Sequence, residues 1–168
     1  MPDQRRPQQI GKMGEYAVTT ELLAKPWVEN VYMPAADTGV DLVLLPHEGE
    51  LKKIQVKTSR VYGSGGFWFT VSRRHIIEDG RMTNMFYVFA EDRPPKNFLI
   101  FQSGEVLRLF QSGSPCLCNN RLLQFTGFAS SRLQVRHSGP ERRRERLAEA
   151  RRSGQSLDDH WNNWDLLR

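Results

Sequence analysis

Gly39-Val40-Asp41-Leu42-Val43-Leu44-Leu45-Pro46-His47-Glu48-Gly49-Glu50-Leu51-Lys52-Lys53-Ile54-Gln55-Val56-Lys57-Thr58-Ser59 is the stretch that decides the fold. Two runs rich in β-branched and apolar residues, 40–45 and 51–59, flank a polar segment carrying Pro46 and Gly49, the pattern of two strands joined by a turn. Side chains alternate along a strand, so Ile54 and Val56 point towards a core. Gln55 and Lys57 share the other face, about 6.8 Å apart at about 3.4 Å per residue. If the turn pairs Leu45 with Leu51, Asp41 falls directly opposite Gln55, with side chains about 5 Å apart on one face. A carboxylate, an amide oxygen and an ammonium then surround one point. A slip of one residue turns Asp41 to the opposite face.

Upstream of this stretch, Ile10, Met13, Ala17, Val18, Leu22 and Leu23 recur at three- and four-residue intervals between Gln9 and Lys25, and Pro26 stops the pattern. That spacing predicts an amphipathic helix. Val28 to Met33 reads as a strand, so one helix leads into three strands. Downstream, strands are expected at 66–71 after a turn at 63–66, at 85–90 and at 97–101. A short helix is expected within 101–111 and a short strand at 133–135. Gly139-Pro140 opens a further helix, where proline suits the first turn. Its only apolar residues are Leu147, Ala148 and Ala150, too few for a core helix. The terminal Trp161, Trp164, Leu166 and Leu167 are apolar again and should fold back. The expected class is α+β: a leading helix, a mixed β-sheet and C-terminal helices. Residues 1–8 read as a disordered lead-in, 9–135 as the main domain, and 136–168 as a basic helix with a docking tail.

At 168 residues the chain suits one domain, and 39% hydrophobic with 26% charged residues excludes an unfolded polar chain. The longest apolar run, Met85 to Ala90, is far below the ~20 residues of a membrane helix. The start MPDQRRPQQ has no following apolar stretch, so no secretory signal is read and a cytoplasmic protein without a membrane partner is expected. Cys116 and Cys118 stand one residue apart, unsuited to a disulfide framework or a complete zinc site, and reduced thiols are expected. His47, His75, His137 and His160 show no paired metal spacing.

Net charge is +5, and residues 132–152 alone hold eight arginines against three glutamates. The excess therefore sits in one segment. Such a local excess is either the footprint of a polyanion, usually nucleic acid, or a solvated charge-rich helix. Ser72-Arg73-Arg74-His75 reads as a phosphate-contacting loop or as an exposed polar turn.

Glu15 borders the face of the leading helix that should pack on the sheet, where a carboxylate is costly unless paired. It meets either a hydrated divalent cation shared with Asp41 or Lys57 in a structural salt bridge. Gly14 would let the helix backbone approach closely.

The ordered set Gly14-Glu15 on a helix, Gly39-Val40-Asp41 opening a strand and Gln55-Val56-Lys57 on the next resembles the PD-(D/E)XK nuclease superfamily, with its restriction-endonuclease-like core. Within it, the resemblance is to small endonucleases that include group I intron homing enzymes and related phage or bacterial nucleases. It covers chiefly residues 9–60. It implies that Asp41 is the central metal-binding carboxylate, with the Gln55 amide and the Val56 carbonyl supplying further oxygens. Glu15 would reach the metal directly or through water, and Lys57 would orient the attacking water and stabilise the phosphorane-like transition state. The implied cofactor is Mg²⁺, with Mn²⁺ as substitute, since Mg²⁺ prefers oxygen ligands and keeps several waters. The implied substrate is DNA, and duplex cleavage suggests a homodimer.

Gln55 departs from the commoner carboxylate at its position. An amide oxygen coordinates without charge, which weakens metal binding and disfavours a second metal. Arg142, Arg143 and Arg144 fall in the first turn of the basic helix, where the helix dipole disfavours cations, so they would serve the nucleic-acid backbone. Two other readings stand beside the endonuclease. One is a nuclease-fold DNA-binding module that no longer cleaves; the other is a non-enzymatic protein whose basic helix binds an acidic partner.

Overall fold

The computed structural model describes residues 7–35, 39–59, 68–92, 96–118, 121–127, 132–137, 140–153 and 156–168. Helix α1, Pro7–Leu23, buries Ile10, Gly14, Glu15, Val18 and Leu22 along one side, the i, i+4, i+8 stripe that its apolar spacing dictates. It starts earlier than Gln9. Pro7 and Gln8, assigned to the lead-in from sequence, form its first turn, because proline there gives up only an N–H that has no helical partner; residues 1–6 lie outside the described residues. Strands β1 (Val28–Tyr32), β2 (Leu42–Pro46) and β3 (Lys52–Ser59) follow as expected. The chain continues through β4 (Trp68–Ser72), α2 (Arg73–Asp79), β5 (Met85–Glu91), β6 (Phe98–Gln102) and α3 (Ser103–Ser112). It then forms β7 (Pro115–Cys118), β8 (Arg121–Gly127), β9 (Arg132–His137) and α4 (Pro140–Ser153). The turn expected at 63–66 lies outside the described residues.

Two sheets result. The first has the order β1-β2-β3-β5-β6, with β3 and β5 parallel and its other pairs antiparallel. The second, β4-β9-β8-β7, is antiparallel throughout. The five-stranded sheet is therefore mixed and buried on both faces. On one face Ile54, Val56, Val88 and Ile100 pack with Val18 and Leu22 of α1. On the other, Tyr87, Phe89 and Phe101 pack with Phe69, Cys116, Leu123 and Phe125 from the second sheet. Strand β5 is buried along its whole length, which is why Met85 to Ala90 is an unbroken apolar run.

One expectation needs correction. Ser72-Arg73-Arg74-His75 is not a loop: Ser72 ends β4 and Arg73 opens α2, where Arg74 Nε lies 2.8 Å from Glu78 Oε1 in an i, i+4 ion pair. Strands β7 and β8 were not foreseen, although Cys116 and Cys118 are both buried thiols outside any disulfide, one residue apart because alternate positions of a strand share a face. Strand β9 pairs with both β4 and β8.

The C-terminal tail folds back as its apolar residues require. Leu99 bridges Trp161, and Asn162 both donates to the Phe98 carbonyl and accepts from its N–H, each at 2.8 Å. This covers the outer edge of β6, which would otherwise present unpaired backbone groups. Trp164 and Leu167 are buried with the α1 core, while Leu166 is exposed. Among the described residues, no helix is long and apolar enough to cross a membrane.

Candidate active site

Strand β3 is eight residues long, but β2 pairs only with its first part, through Leu42–Ile54, Val43–Lys53 and Leu44–Lys52. That is the register expected from pairing Leu45 with Leu51. At Asp41 it changes: the Asp41 N–H donates to the Ile54 carbonyl at 2.9 Å, although Ile54 is already the partner of Leu42. Asp41 is thus not squarely opposite Gln55. Its carboxylate instead reaches along β3, and Oδ2 accepts the Val56 backbone N–H at 2.7 Å. The physical need is plain, since an N–H beyond the end of the partner strand must find another acceptor.

Glu15 arrives from α1, and Gly14 is what admits it. A Cβ at Gly14 would overlap the Thr58 hydroxyl and lie 2.9 Å from Thr58 Cβ, so only glycine lets α1 lie this close to β3. Glu15 is 9% exposed and lines a cleft of about 550 Å³ together with Gln8, Gly11, Lys12, Pro34, Ala35, Val40 and Asp41. Its ion-pair partner is Lys12, with Nζ 2.6 Å from Glu15 Oε2; Lys57 does not make that contact.

Gln55 and Lys57 come from the other face. They pair laterally with Tyr87 and Phe89 of β5, residues of the core opposite α1, and they do not line the Glu15–Asp41 cleft. The expectation of one shared face therefore gives way to a junction. Asp41, just before β2, shares a cleft with Glu15 on the α1 side and feels the Lys57 charge, while Gln55 and Lys57 belong to the other face of β3. Burial pushes the Asp41 carboxyl above its usual value, against the Val56 hydrogen bond and the Lys57 charge; the Glu15 charge adds to the rise and Lys12 opposes it. Both Glu15 and Lys57 are thus felt at Asp41.

Gln55 is 3% exposed, and its Oε1 is buried without a hydrogen-bond partner among the described residues. A buried amide oxygen without a donor is unfavourable and calls for an explanation. Its Nε2 lies 4.0 Å from where a Cβ on Gly39 would stand, and His75 Cε1 lies 3.9 Å from the same point. Lys12 was not selected from sequence, and His75 only as part of the 72–75 phosphate-contacting reading. Lys12 could have been found by its i, i+3 spacing to Glu15, whereas nothing local connects His75 of α2 to Gly39.

Compared with solved structures, the chain is similar to a bacterial homing endonuclease, I-Ssp6803I, at a TM-score of 0.54 and 19% identity, over 99% of this chain and 92% of that one. The chain shares the fold of that structure. Neither a protein-family model nor a curated protein sequence matches it. On this fold Arg73 and Arg74 are exposed at the start of α2. Helix α4 packs on β7 and β8 of the second sheet through the buried Ala150. Arg144, Arg151 and Arg152 are exposed on it, and the side chains of Arg142 and Arg143 lie outside the described residues.

The residues around Asp41 suit a hard divalent cation. Glu15 and Asp41 offer two carboxylates to one cleft and Gln55 a buried amide oxygen on the other face of β3, and oxygen is the ligand such ions prefer. Among the described residues no group of three or more His, Cys, Asp or Glu could hold a metal, so the donor set depends on Gln55.

Proposed function

We propose that the protein is a divalent-metal-dependent endonuclease that hydrolyses DNA phosphodiester bonds at Asp41. The observation that carries this reading is the junction itself. A partly buried carboxylate held by the Val56 N–H lines one cleft with Glu15 and feels the Lys57 charge, while Gln55, on the other face of β3, carries a buried amide oxygen with no donor among the described residues. Similarity to a homing endonuclease over 99% of the chain supports the same direction. Asp41, Gln55, the Val56 carbonyl and Glu15 would hold Mg²⁺, or Mn²⁺ in its place. When bound, the ion supplies a Lewis acid for the phosphoryl oxygen and lowers the pKa of water.

The chain's own residues do the rest. Asp41 is fixed by its backbone hydrogen bond before substrate arrives, so little reorganisation is needed. Lys57 places an ammonium where negative charge grows on the phosphorus centre and orients the attacking water. The exposed arginines of α2 and α4 bind the DNA backbone and set register without reading bases. Cleavage of both strands by one site per chain calls for two copies.

A plasmid-nicking assay with Mg²⁺, Mn²⁺ or chelator tests the reading. Metal-dependent nicking that disappears in Asp41→Ala and Lys57→Ala, with DNA binding retained, is the expected result. A folded protein that binds DNA but never cleaves duplex, branched or single-stranded substrates favours the second reading, a nuclease-fold DNA-binding module. The uncharged Gln55 is the observation that favours that alternative.

A further inference from the structure

Glu15 and Asp41 share a cleft, yet the charge in contact with Glu15 is an ammonium. Lys12 Nζ lies 2.6 Å from Glu15 Oε2, and the two side chains differ sharply in accessibility, 62% against 12%. Lys12 stands one turn before Glu15, lines the same cleft and also attracts Asp41. An exposed i, i+3 pair contributes little to helix stability. Its place beside the two carboxylates is the informative feature.

We propose that Lys12 is a displaceable counter-ion: its ammonium holds the cation position beside Glu15 and Asp41 in the metal-free protein, and a divalent ion releases it towards a phosphate of bound DNA. The inference rests on the metal-dependent reading above. Two carboxylates facing one cleft repel each other, and a single ammonium neutralises them only in part. A dication bound by their oxygens neutralises both. Lys12 then loses its contact with Glu15, because the dication takes the carboxylate oxygens it was bound to and repels the ammonium at that separation. Its flexible four-carbon stem lets the ammonium move without disturbing α1, and the open cleft gives it a route to a phosphate. The lysine would link metal binding to DNA binding, each favouring the other.

Mn²⁺ binding to the DNA-free protein, followed by the electron paramagnetic resonance of free Mn²⁺, is the first measurement. Lys12→Met should bind Mn²⁺ about fivefold more tightly than wild type, because a competing charge is gone. Lys12→Arg should stay near wild type, and Asp41→Asn should lose most of the affinity. DNA affinity is then measured in Ca²⁺ and in chelator. Lys12→Met should lose severalfold in Ca²⁺ and little in chelator, where the wild-type lysine is engaged with Glu15. Equal Mn²⁺ affinity in wild type and Lys12→Met, with Asp41→Asn impaired, removes the counter-ion role and leaves the metal site standing. Equal loss of DNA affinity in Ca²⁺ and chelator makes Lys12 an ordinary phosphate contact and ends the release step. A wild-type protein that binds no Mn²⁺ overturns the inference together with the reading beneath it.

Discussion

Asp41 Oδ2 accepts the backbone N–H of Val56 at 2.7 Å, so a side chain completes the sheet where β2 stops. The bond fixes the carboxylate at the strand end without removing its capacity to bind a cation, since Oδ1 and the second lone pair of Oδ2 are not used by it. The same burial that makes the position rigid makes the ionised carboxylate unfavourable.

Asp41→Asn should therefore abolish metal-dependent cleavage, by at least about 10²-fold, while stabilising the metal-free protein. Folding raises the Asp41 carboxyl above its unfolded value, chiefly through burial. As pH climbs from about 3.8 through the higher folded value, the unfolded chain releases its proton first and stability is lost. The variant lacks that loss. Its melting temperature should exceed wild type by about 2–4 °C at pH 7 and match it below the unfolded pKa, as thermal melts across pH would show.

Gln55→Glu should tighten Mg²⁺ binding by about tenfold or more, because a charged oxygen replaces a neutral one at the cation. The metal-free variant should be destabilised by about 1–3 kcal/mol, since a carboxylate then replaces a 3%-exposed amide and loses its hydration, which a single lysine on the same strand face offsets only in part. Calorimetric Mg²⁺ titration and chelator-treated denaturation give the two numbers. Tighter binding without the apo penalty would contradict the buried, unpartnered position of Oε1.

Gly14→Ala should cost about 1–3 kcal/mol, even though alanine is the better helix former by about 1 kcal/mol. The added methyl would meet the Thr58 hydroxyl, with Thr58 Cβ at 2.9 Å and Cγ2 at 3.1 Å. Combining it with Thr58→Ala removes two of those three atoms and should recover part of the loss. Urea denaturation of the four proteins yields the coupling; strict additivity would show that α1 does not rest on β3 at this point.

The tail carries its own pH response at His160. Burial lowers the ring's affinity for a proton, but the hydrogen bonds to Glu105 and the Ile100 carbonyl outweigh it, and the net shift is upward. Nδ1 lies 2.6 Å from the Ile100 oxygen and Nε2 3.0 Å from Glu105 Oε1. Both nitrogens face acceptors, which only the doubly protonated ring can satisfy. A raised folded value means the stabilisation is complete below the unfolded value of about 6.5 and fades as pH rises through the folded one. His160→Gln should lose about 1–2 kcal/mol at pH 5.5 and much less at pH 9, read from denaturation at both pH values.

The basic helix should act by neutralising phosphates. Replacing exposed Arg144, Arg151 and Arg152 with glutamine should lower the slope of log affinity against log salt by about 0.9 for each phosphate that is no longer neutralised. Fluorescence anisotropy on duplex DNA over a salt series measures it. An unchanged slope would assign α4 a solubilising role.

Much of the fold was legible because its signals are local. The interval of three and four between Ile10 and Leu22 dictates α1, the apolar and β-branched runs dictate β1 to β3, and the single-residue spacing of Gln55 and Lys57 puts them on one face whatever packs around them. The register of β2 on β3 was legible too, from the position of the turn. Cys116 and Cys118 carried a strand signal that spacing alone did not separate from cysteine chemistry.

Other features depend on parts of the chain that no local pattern connects. Whether β3 outruns β2, so that Asp41 turns to the Val56 N–H and not squarely towards Gln55, depends on where pairing ends. That Glu15 reaches the same junction from the opposite side depends on Gly14 meeting Thr58, 44 residues later in the chain. The partner of Glu15, the second sheet and the nearness of His75 to Gly39 arise the same way. Propensity and periodicity act over a few residues, whereas a buried charge finds its partner only when distant segments have been packed against each other. The amino-acid pattern alone therefore determined which groups were available, and the tertiary structure decided which of them share one carboxylate.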